Sequence, residues 1–423
     1  MSREKNANIE SAGNTASSLD VAPGTSKKAM RGMKGTVATI MTLYFLSPTI
    51  SAISPAMSSI AGSYPDVSPA AIGYVMTITA ALQAVTALIA GALAGRKLRY
   101  RTLAIASSIL VVIAGCVPFF LSGGADFPLL IGSRALLGIG LGTIMPLSNA
   151  LVLAAFSDEG TRSRLIGVGN AMLNVGTIVT NLLGGFLCAI SWQSTFLVYA
   201  LGIVLFALSA FAMKEPAHVE EENTERKKGS LPVVTFVYIV FFLLMCVMTQ
   251  PVIVYCSQVL AETGITNAMV SAFMVSVFSI GGIVISLMFT GLFKLFRKML
   301  LPVSFVVAAV ALLVCFMGGN PQDSSVILYG VGAALAGMAL LMVTCFTPMA
   351  ISQVVAPEMQ STAMGFVSFA MGGGTFLSTP FAQLAGIVTG AETIGTVLMF
   401  AACCSGALAV VAVVFVFFSR RKK

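Results

Sequence analysis

Four polar side chains recur along one apolar stretch: Asn170, Asn174, Thr177 and Asn181, at spacings of four, three and four. On an α-helix these steps put all four on one face. Carboxamides and hydroxyls so placed donate and accept hydrogen bonds. Inside an apolar span they need partners, from a polar cavity or from a neighbouring helix. An earlier stretch repeats the pattern with Tyr44, Ser47, Ser51, Ser54 and Ser58, and Pro48 and Pro55 are set to bend it. Cavity lining and tight helix contact both fit that stripe. Asn149, and Gln250 and Tyr255 beside Pro251, join the candidates for a substrate cavity. One charge stands among them. Arg134 opens the run Arg134-Ala-Leu-Leu-Gly138-Ile-Gly140-Leu-Gly142 inside an apolar segment, where an arginine costs roughly 3 kcal/mol on insertion scales. Three readings stay open for it: a hydrogen-bond hub between helices, a coupling element paired with Asp66 or Asp126, or a cation for a carboxylate or phosphate. A rise of 1.5 Å per residue puts it roughly 8 Å from the helix end nearer those acids.

Other chemistries find no support. The 16 acids fall in tails, loops or span ends, so no carboxylate sits mid-span. The one histidine, His218, lies in a charged loop and excludes a histidine proton relay inside a membrane. The eight cysteines all sit in apolar runs with no CxxC spacing and read as small packing residues. No nucleophile–base set, metal cluster or phosphate-cradling loop is legible, and Gly372-Gly373-Gly374 and Gly281-Gly282 read as close helix packing. The expectation is no enzyme, no catalytic residue, no metal and no cofactor.

The elements that must position the polar residues follow from composition. The 423 residues are 57% hydrophobic and 9% charged, against about 25% charged in soluble domains. Apolar runs long enough to cross a bilayer recur down the chain. The fold class is therefore all-α, a polytopic membrane protein. Twelve helices are expected, near 36–58, 70–94, 102–121, 128–154, 164–189, 193–213, 232–258, 267–292, 299–317, 325–350, 362–385 and 393–418. The expected domains are a disordered tail over 1–34, a six-helix half over 35–213, a charged linker over 214–231, a second six-helix half over 232–418 and a basic tail over 419–423. Of 24 basic residues, all but Arg134 fall on one side of this arrangement, while the opposite loops carry only acids: Asp66, Asp126, Glu262, Asp323 and Glu392. The basic side reads as cytoplasmic, with both termini, and the net charge of +8 reads as a topology signal with no nucleic-acid partner. An internal repeat agrees: Gly167 to Thr177 aligns with Gly365 to Thr375 at an offset of 198, and Gly91-Ala-Leu aligns with Gly291-Leu-Phe at an offset of 200. Halves related this way enclose a central cavity.

From helix 1 to the C-terminus the chain resembles the major facilitator superfamily. The loop after helix 2, Gly91-Ala-Leu93-Ala94-Gly95-Arg96-Lys-Leu98-Arg99-Tyr100, is similar to that family's Gly-x-Leu-Ala-Asp-Arg-x-Gly-Arg-Arg gate loop, with Gly95 for the acid and Leu98 for the second glycine. The resemblance implies gate roles for Gly91, Arg96 and Arg99 and a weakened inward latch. Arg134, Gly138, Gly140 and Gly142 match the helix 4 signature. Gly176-Thr-Ile-Val-Thr180-Asn181-Leu-Leu-Gly184-Gly185 resembles the antiporter signature with its Gly-Pro pair replaced. Gly138, Gly142, Gly176, Gly184 and Gly185 are expected to serve helix packing. Trp192-Gln-Ser-Thr-Phe196 resembles the family's Trp-Arg-x-x-Phe, with Gln193 for Arg, and Tyr64-Pro-Asp-Val-Ser68 resembles a phrase of the bacterial multidrug-efflux-like branch. The resemblance implies alternating access in the cell membrane by a monomer. Its partners would be the lipid bilayer, a small-molecule substrate and protons as coupling ion, with efflux of amphipathic compounds as the activity. A uniporter or importer of a small solute such as a monocarboxylate is the alternative, and a non-transporting membrane sensor a remote one.

Overall fold

Backbone polar groups in a long apolar run must be satisfied within the run, which leaves a helix as the one open-chain solution in lipid. The structure, a computed structural model, describes residues 33–93, 98–156, 158–215, 231–320, 325–355, 357–390 and 393–421. Its elements are helices throughout: α1 (Lys34–Ser63), α2 (Tyr74–Leu93, led by the turn Pro69–Ile72), α3 (Tyr100–Cys116), α4 (Phe127–Ala155), α5 (Glu159–Cys188), α6 (Gln193–Ala212), α7 (Val233–Thr249, continued by Pro251–Val254 and Cys256–Glu262), α8 (Ala268–Phe296), α9 (Leu300–Gly318), α10 (Val326–Ser352), α11 (Pro357–Thr389) and α12 (Gly395–Arg421). Among the described residues, eleven of the helices are long and apolar enough to cross a membrane. The twelfth, α11, runs for 33 residues and carries the three-glycine run and several polar side chains.

Local sequence explains the departures from the expected bounds. Helix α5 begins at Glu159, five residues before the sequence reading put it, because Asp158 caps it: its carboxylate accepts the Thr161 N–H at 2.8 Å. Pro48 and Pro55 turn the middle of α1 into a 3-10 segment over Thr49–Ala56. Pro251 and Tyr255 divide α7 into three pieces. Helix α6 opens as 3-10 over Gln193–Leu201 and closes as a π turn over Leu208–Ala212.

The repeat is visible in the packing. A Cβ on Gly138 of α4 would lie 2.5 Å from the Thr79 carbonyl of α2. Their counterparts 199 residues on, Gly337 of α10 and the Phe278 carbonyl of α8, meet at 1.9 Å. Gly176 against the Phe45 carbonyl (2.2 Å) recurs as Gly374 against the Leu243 carbonyl (2.7 Å), offset 198. Helices α1 to α6 and α7 to α12 are therefore two copies of one packing scheme. They meet through α1 with α7, α2 with α11, and α5 with α8. Between α1 and α7, equivalent residues touch each other: Ser54 donates to the Ile253 carbonyl, and the Ser58 N–H donates to Ser257 Oγ at 3.0 Å, both 199 residues apart. Residues related by a two-fold can meet only near its axis, so the pseudo-axis passes between these two helices. Arg96, the 1–32 stretch and most of the linker (216–230) lie outside the described residues.

Candidate functional site

Arg134 is wholly buried. Its Nε donates to the Val75 carbonyl of α2 at 3.0 Å, and its Nη2 donates to the Tyr199 hydroxyl of α6 at 2.9 Å. Tyr199 in turn donates to the Thr49 carbonyl of α1 at 3.1 Å. The guanidinium carbon lies 5.0 Å from the Tyr199 ring centre and 5.6 Å from that of Phe196, within cation–π range. Four helices thus converge on one side chain. Among the described residues no carboxylate bonds to it: Asp66 is exposed, and Asp126 accepts the Ser122 N–H at 3.3 Å. Nη1 has no hydrogen-bond partner. Tyr199 and Phe196 had no place in the sequence reading of Arg134. Their i, i+3 spacing puts both rings on one helix face, but nothing in the sequence says that α6 turns that face to α4.

The α5 stripe is graded. Asn170, toward the basic face of the bundle, is exposed; Asn174 is half-buried and donates to the Asn170 carbonyl at 3.0 Å. Thr177 donates to the Leu173 carbonyl. Asn181 is fully buried and accepts from Ser51 Oγ at 2.9 Å, while its Nδ2 has no partner. Tyr44, also buried, donates to Asn149 Oδ1 at 2.5 Å. The Tyr44–Asn149 and Ser51–Asn181 pairs tie α1 to α4 and to α5. Glycines make the approach possible. A Cβ on Gly176 would sit 2.2 Å from the Phe45 carbonyl, on Gly184 2.0 Å from the Ala52 carbonyl, on Gly142 2.6 Å from the Gln83 carbonyl, and on Gly185 2.5 Å from Ala272 of α8.

Where the halves meet, the hydrogen bonds between described residues cluster at one end, the end that carries the acidic loops, while apolar packing of α2 on α11 runs on past Ala80 and Ala84 to Leu88. Tyr255 of α7 is fully buried and donates to the Ala70 carbonyl at 2.8 Å. Thr77 and Thr379 share a hydrogen bond of 2.7 Å, and Tyr74 donates to Gln383 at 3.4 Å. Gly73 lets them close up, since a Cβ there would come within 2.3 Å of the Tyr255 hydroxyl and 2.9 Å of Thr379. With Ser54 and Ser58 they form a seal made entirely of neutral groups. One turn deeper, Gln250 is 7% exposed and its amide bonds to no described residue. Gln258 has both amide atoms buried without partners. Glu262 ends α7 with its carboxylate on the N–H groups of Ile394 (2.7 Å) and Gly395 (3.3 Å), so it caps α12. Burial pushes its carboxyl above the usual range against the pull of those two donors. Among the described residues no cluster of histidine, cysteine or acid could hold a metal ion.

The family model of the Major Facilitator Superfamily matches residues 36–379, from α1 to the seal residue Thr379. The chain belongs to that superfamily. It is a transporter fold and no enzyme fold. A stretch of 127 residues is 32% identical to a methylenomycin A resistance protein of Bacillus subtilis (strain 168), and the match covers 30% of this chain and 25% of that relative. Among solved structures, the nucleoside transporter NupG aligns with a TM-score of 0.72 at 15% identity, covering 90% of this chain and 99% of that one. A D-xylose-proton symporter aligns with a TM-score of 0.68 at 16% identity, covering 90% and 97%. At such identities the likeness speaks for the fold alone.

Proposed function

We propose that this superfamily member exports small amphipathic organic molecules by alternating access, spanning the cell (cytoplasmic) membrane as a monomer with its basic face in the cytoplasm. The observation that carries the reading is the position of the seal. The hydrogen bonds between halves gather at the acidic face, whereas Asn170, exposed, and Asn174, half-buried, lie toward the basic face, an arrangement that fits a pathway drawn closed to the outside. Substrate would meet Asn170, Asn174 and Gln250, whose polar atoms have spare hydrogen-bonding capacity, and would pass Tyr255 when the seal parts. Two six-helix halves enclose their own pathway, which supports a single-chain unit. The resistance protein's name supports export over uptake. A proton-linked step in this scheme falls to carboxylates at the faces, Asp66 and Asp126 among them, because the apolar spans hold none.

The test is transport in proteoliposomes with an imposed pH gradient, screened against lipophilic cations and against monocarboxylates. Gradient-driven expulsion of the former is the expected result. Gradient-independent flux sinks the proton linkage, and monocarboxylate uptake alone would establish the importer reading, which the lack of a mid-span acid favours.

A further inference from the structure

At the basic-face end of α8, Lys294, Arg297 and Lys298 converge on a cavity of about 480 Å³. The preference for basic residues on one membrane side accounts for their sign. It does not account for three of them rimming one hollow between α7, α8 and α10. The opposite wall is aromatic and polar: Phe293, Tyr238 and Phe346 pack with ring centres 5.8 to 6.4 Å apart, and Gln353 closes the rim. Helix ends do not balance the charge. The C-termini of α8 and α10 each bring about half a negative charge and the N-terminus of α9 about half a positive one, which leaves an excess of roughly two and a half positive charges. Among the described residues no carboxylate belongs to the lining.

The turn that presents these cations is itself strained. Arg297 has φ 47° and ψ −123°, and it is the one non-glycine residue with positive φ among those described. A residue other than glycine is strained in such a backbone. Its N–H is held on the Phe293 carbonyl, and Arg297 lines the cavity beside Phe293. A soluble anion has use for the cations and none for the rings. A molecule with an anionic head and an apolar body uses both.

We propose that this cavity binds the phosphate-bearing headgroup of an anionic phospholipid from the leaflet at the basic face. The phosphate lies among Lys294, Arg297 and Lys298, and the glycerol and upper acyl region lie on the rings of Phe293, Phe346 and Tyr238. Lys298 is half-buried while the other two cations are exposed, so the headgroup enters from the membrane surface. The site lies within one six-helix half, and a bound lipid can therefore stay in place while the halves move.

The full-length protein, delipidated in a neutral detergent, is titrated with phosphatidylglycerol and with phosphatidylcholine, and bound lipid is counted by native mass spectrometry. Phosphatidylglycerol should bind and phosphatidylcholine should not compete. A basic residue near an anionic surface is worth about fivefold in affinity. The triple variant Lys294→Gln, Arg297→Gln, Lys298→Gln should therefore lose on the order of a hundredfold, while the charge-matched triple Arg420→Gln, Arg421→Gln, Lys422→Gln stays within twofold. Arg297→Gly removes one charge and the strain together; it should fold at least as stably as the parent and bind about fivefold more weakly, which keeps the test open if the triple variant misfolds. Equal loss in the two triples, unchanged binding by Arg297→Gly, or displacement of the lipid by micromolar inorganic phosphate would overturn the proposal.

Discussion

At the scale of single residues the centre of the N-terminal half is Arg134. Its two hydrogen bonds reach a carbonyl on α2 and a hydroxyl on α6, and bonds from a charged donor contribute about 1.5–3 kcal/mol each. Lysine supplies a point charge in place of a planar fork and cannot serve both acceptors in this geometry. Arg134→Lys should therefore lower the melting temperature of the detergent-solubilised protein. A double-mutant cycle with Tyr199→Phe should return a coupling of about 1–3 kcal/mol. Additive effects would show that the Arg134–Tyr199 contact carries no stability and would return Arg134 to a role with substrate or coupling ion. The sequence left a hydrogen-bond hub between helices open beside a pairing with Asp66 or Asp126 and a role with an anionic substrate, but it could name only the acids as partners, because acids are what a charge count makes visible. The partners in the structure are a phenol and a backbone carbonyl. No census of charges could find them, since their availability depends on which faces α2 and α6 turn inward.

At the scale of helices, glycine position decides how near the axes come. Gly184→Ala would drive a Cβ to 2.0 Å from the Ala52 carbonyl of α1, whereas Gly167, on the same helix, has no atom within 4 Å of its Cβ position. Overpacking costs about 1–3 kcal/mol, and alanine in an open helix position gains up to about 1 kcal/mol over glycine. Thermal unfolding should thus show Gly184→Ala destabilised and Gly167→Ala unchanged or more stable; a shared direction would refute the assigned α1–α5 contact. Two helix caps add opposite pH dependences. Asp158 has its carboxyl held below the usual range by the Thr161 hydroxyl and N–H, so its contribution is full above about pH 4 and is lost as pH falls through the lowered folded value. Glu262 is raised by burial. The folded state holds its proton more tightly than the unfolded chain, so its contribution is full below about pH 4 and declines as pH rises through the folded value. Melting temperatures of Glu262→Gln across pH 4–8 should lose that decline, and profiles parallel to the parent would count against the buried cap. Helix number and order were legible because each span is long and apolar. The interior of α6 was not, since a 3-10 start and a π finish share one hydropathy pattern with a plain helix. Nor was the break of α7 at Tyr255, where no proline stands. The α5 stripe read as one face, yet its members end in different surroundings: Asn181 is buried against α1, while Asn170 is exposed although its neighbour Gly169 still packs against Tyr44 of α1.

At the scale of the whole molecule the two halves are joined by a seal that, among the described residues, has no ion pair in it. Neutral hydrogen bonds contribute about 0.5–1.5 kcal/mol each, so the contacts made by Ser54, Ser58, Thr77, Tyr74 and Tyr255 sum to a few kcal/mol. A two-state protein with a minor state populated at the per cent level differs by that much between states. A strong charged latch would hold one state and stall the cycle; this one can be opened by a substrate whose preference for the other state is only moderate. Gly73 is a position where the balance can be tipped, since a side chain there meets the Tyr255 hydroxyl and Thr379 at once. Gly73→Val should push the halves apart at the acidic face and shift the population toward the state open on that side. In a cysteine-free background, a cysteine at Ala70 should then react faster with a membrane-impermeant maleimide added from the acidic side, and a cysteine at Asn170 should react more slowly from the basic side. The reciprocal change is the decisive part. Faster labelling at position 70 with no slowing at position 170 would mean that Gly73→Val loosens the seal locally, and that the two ends of the pathway do not open and close as one equilibrium.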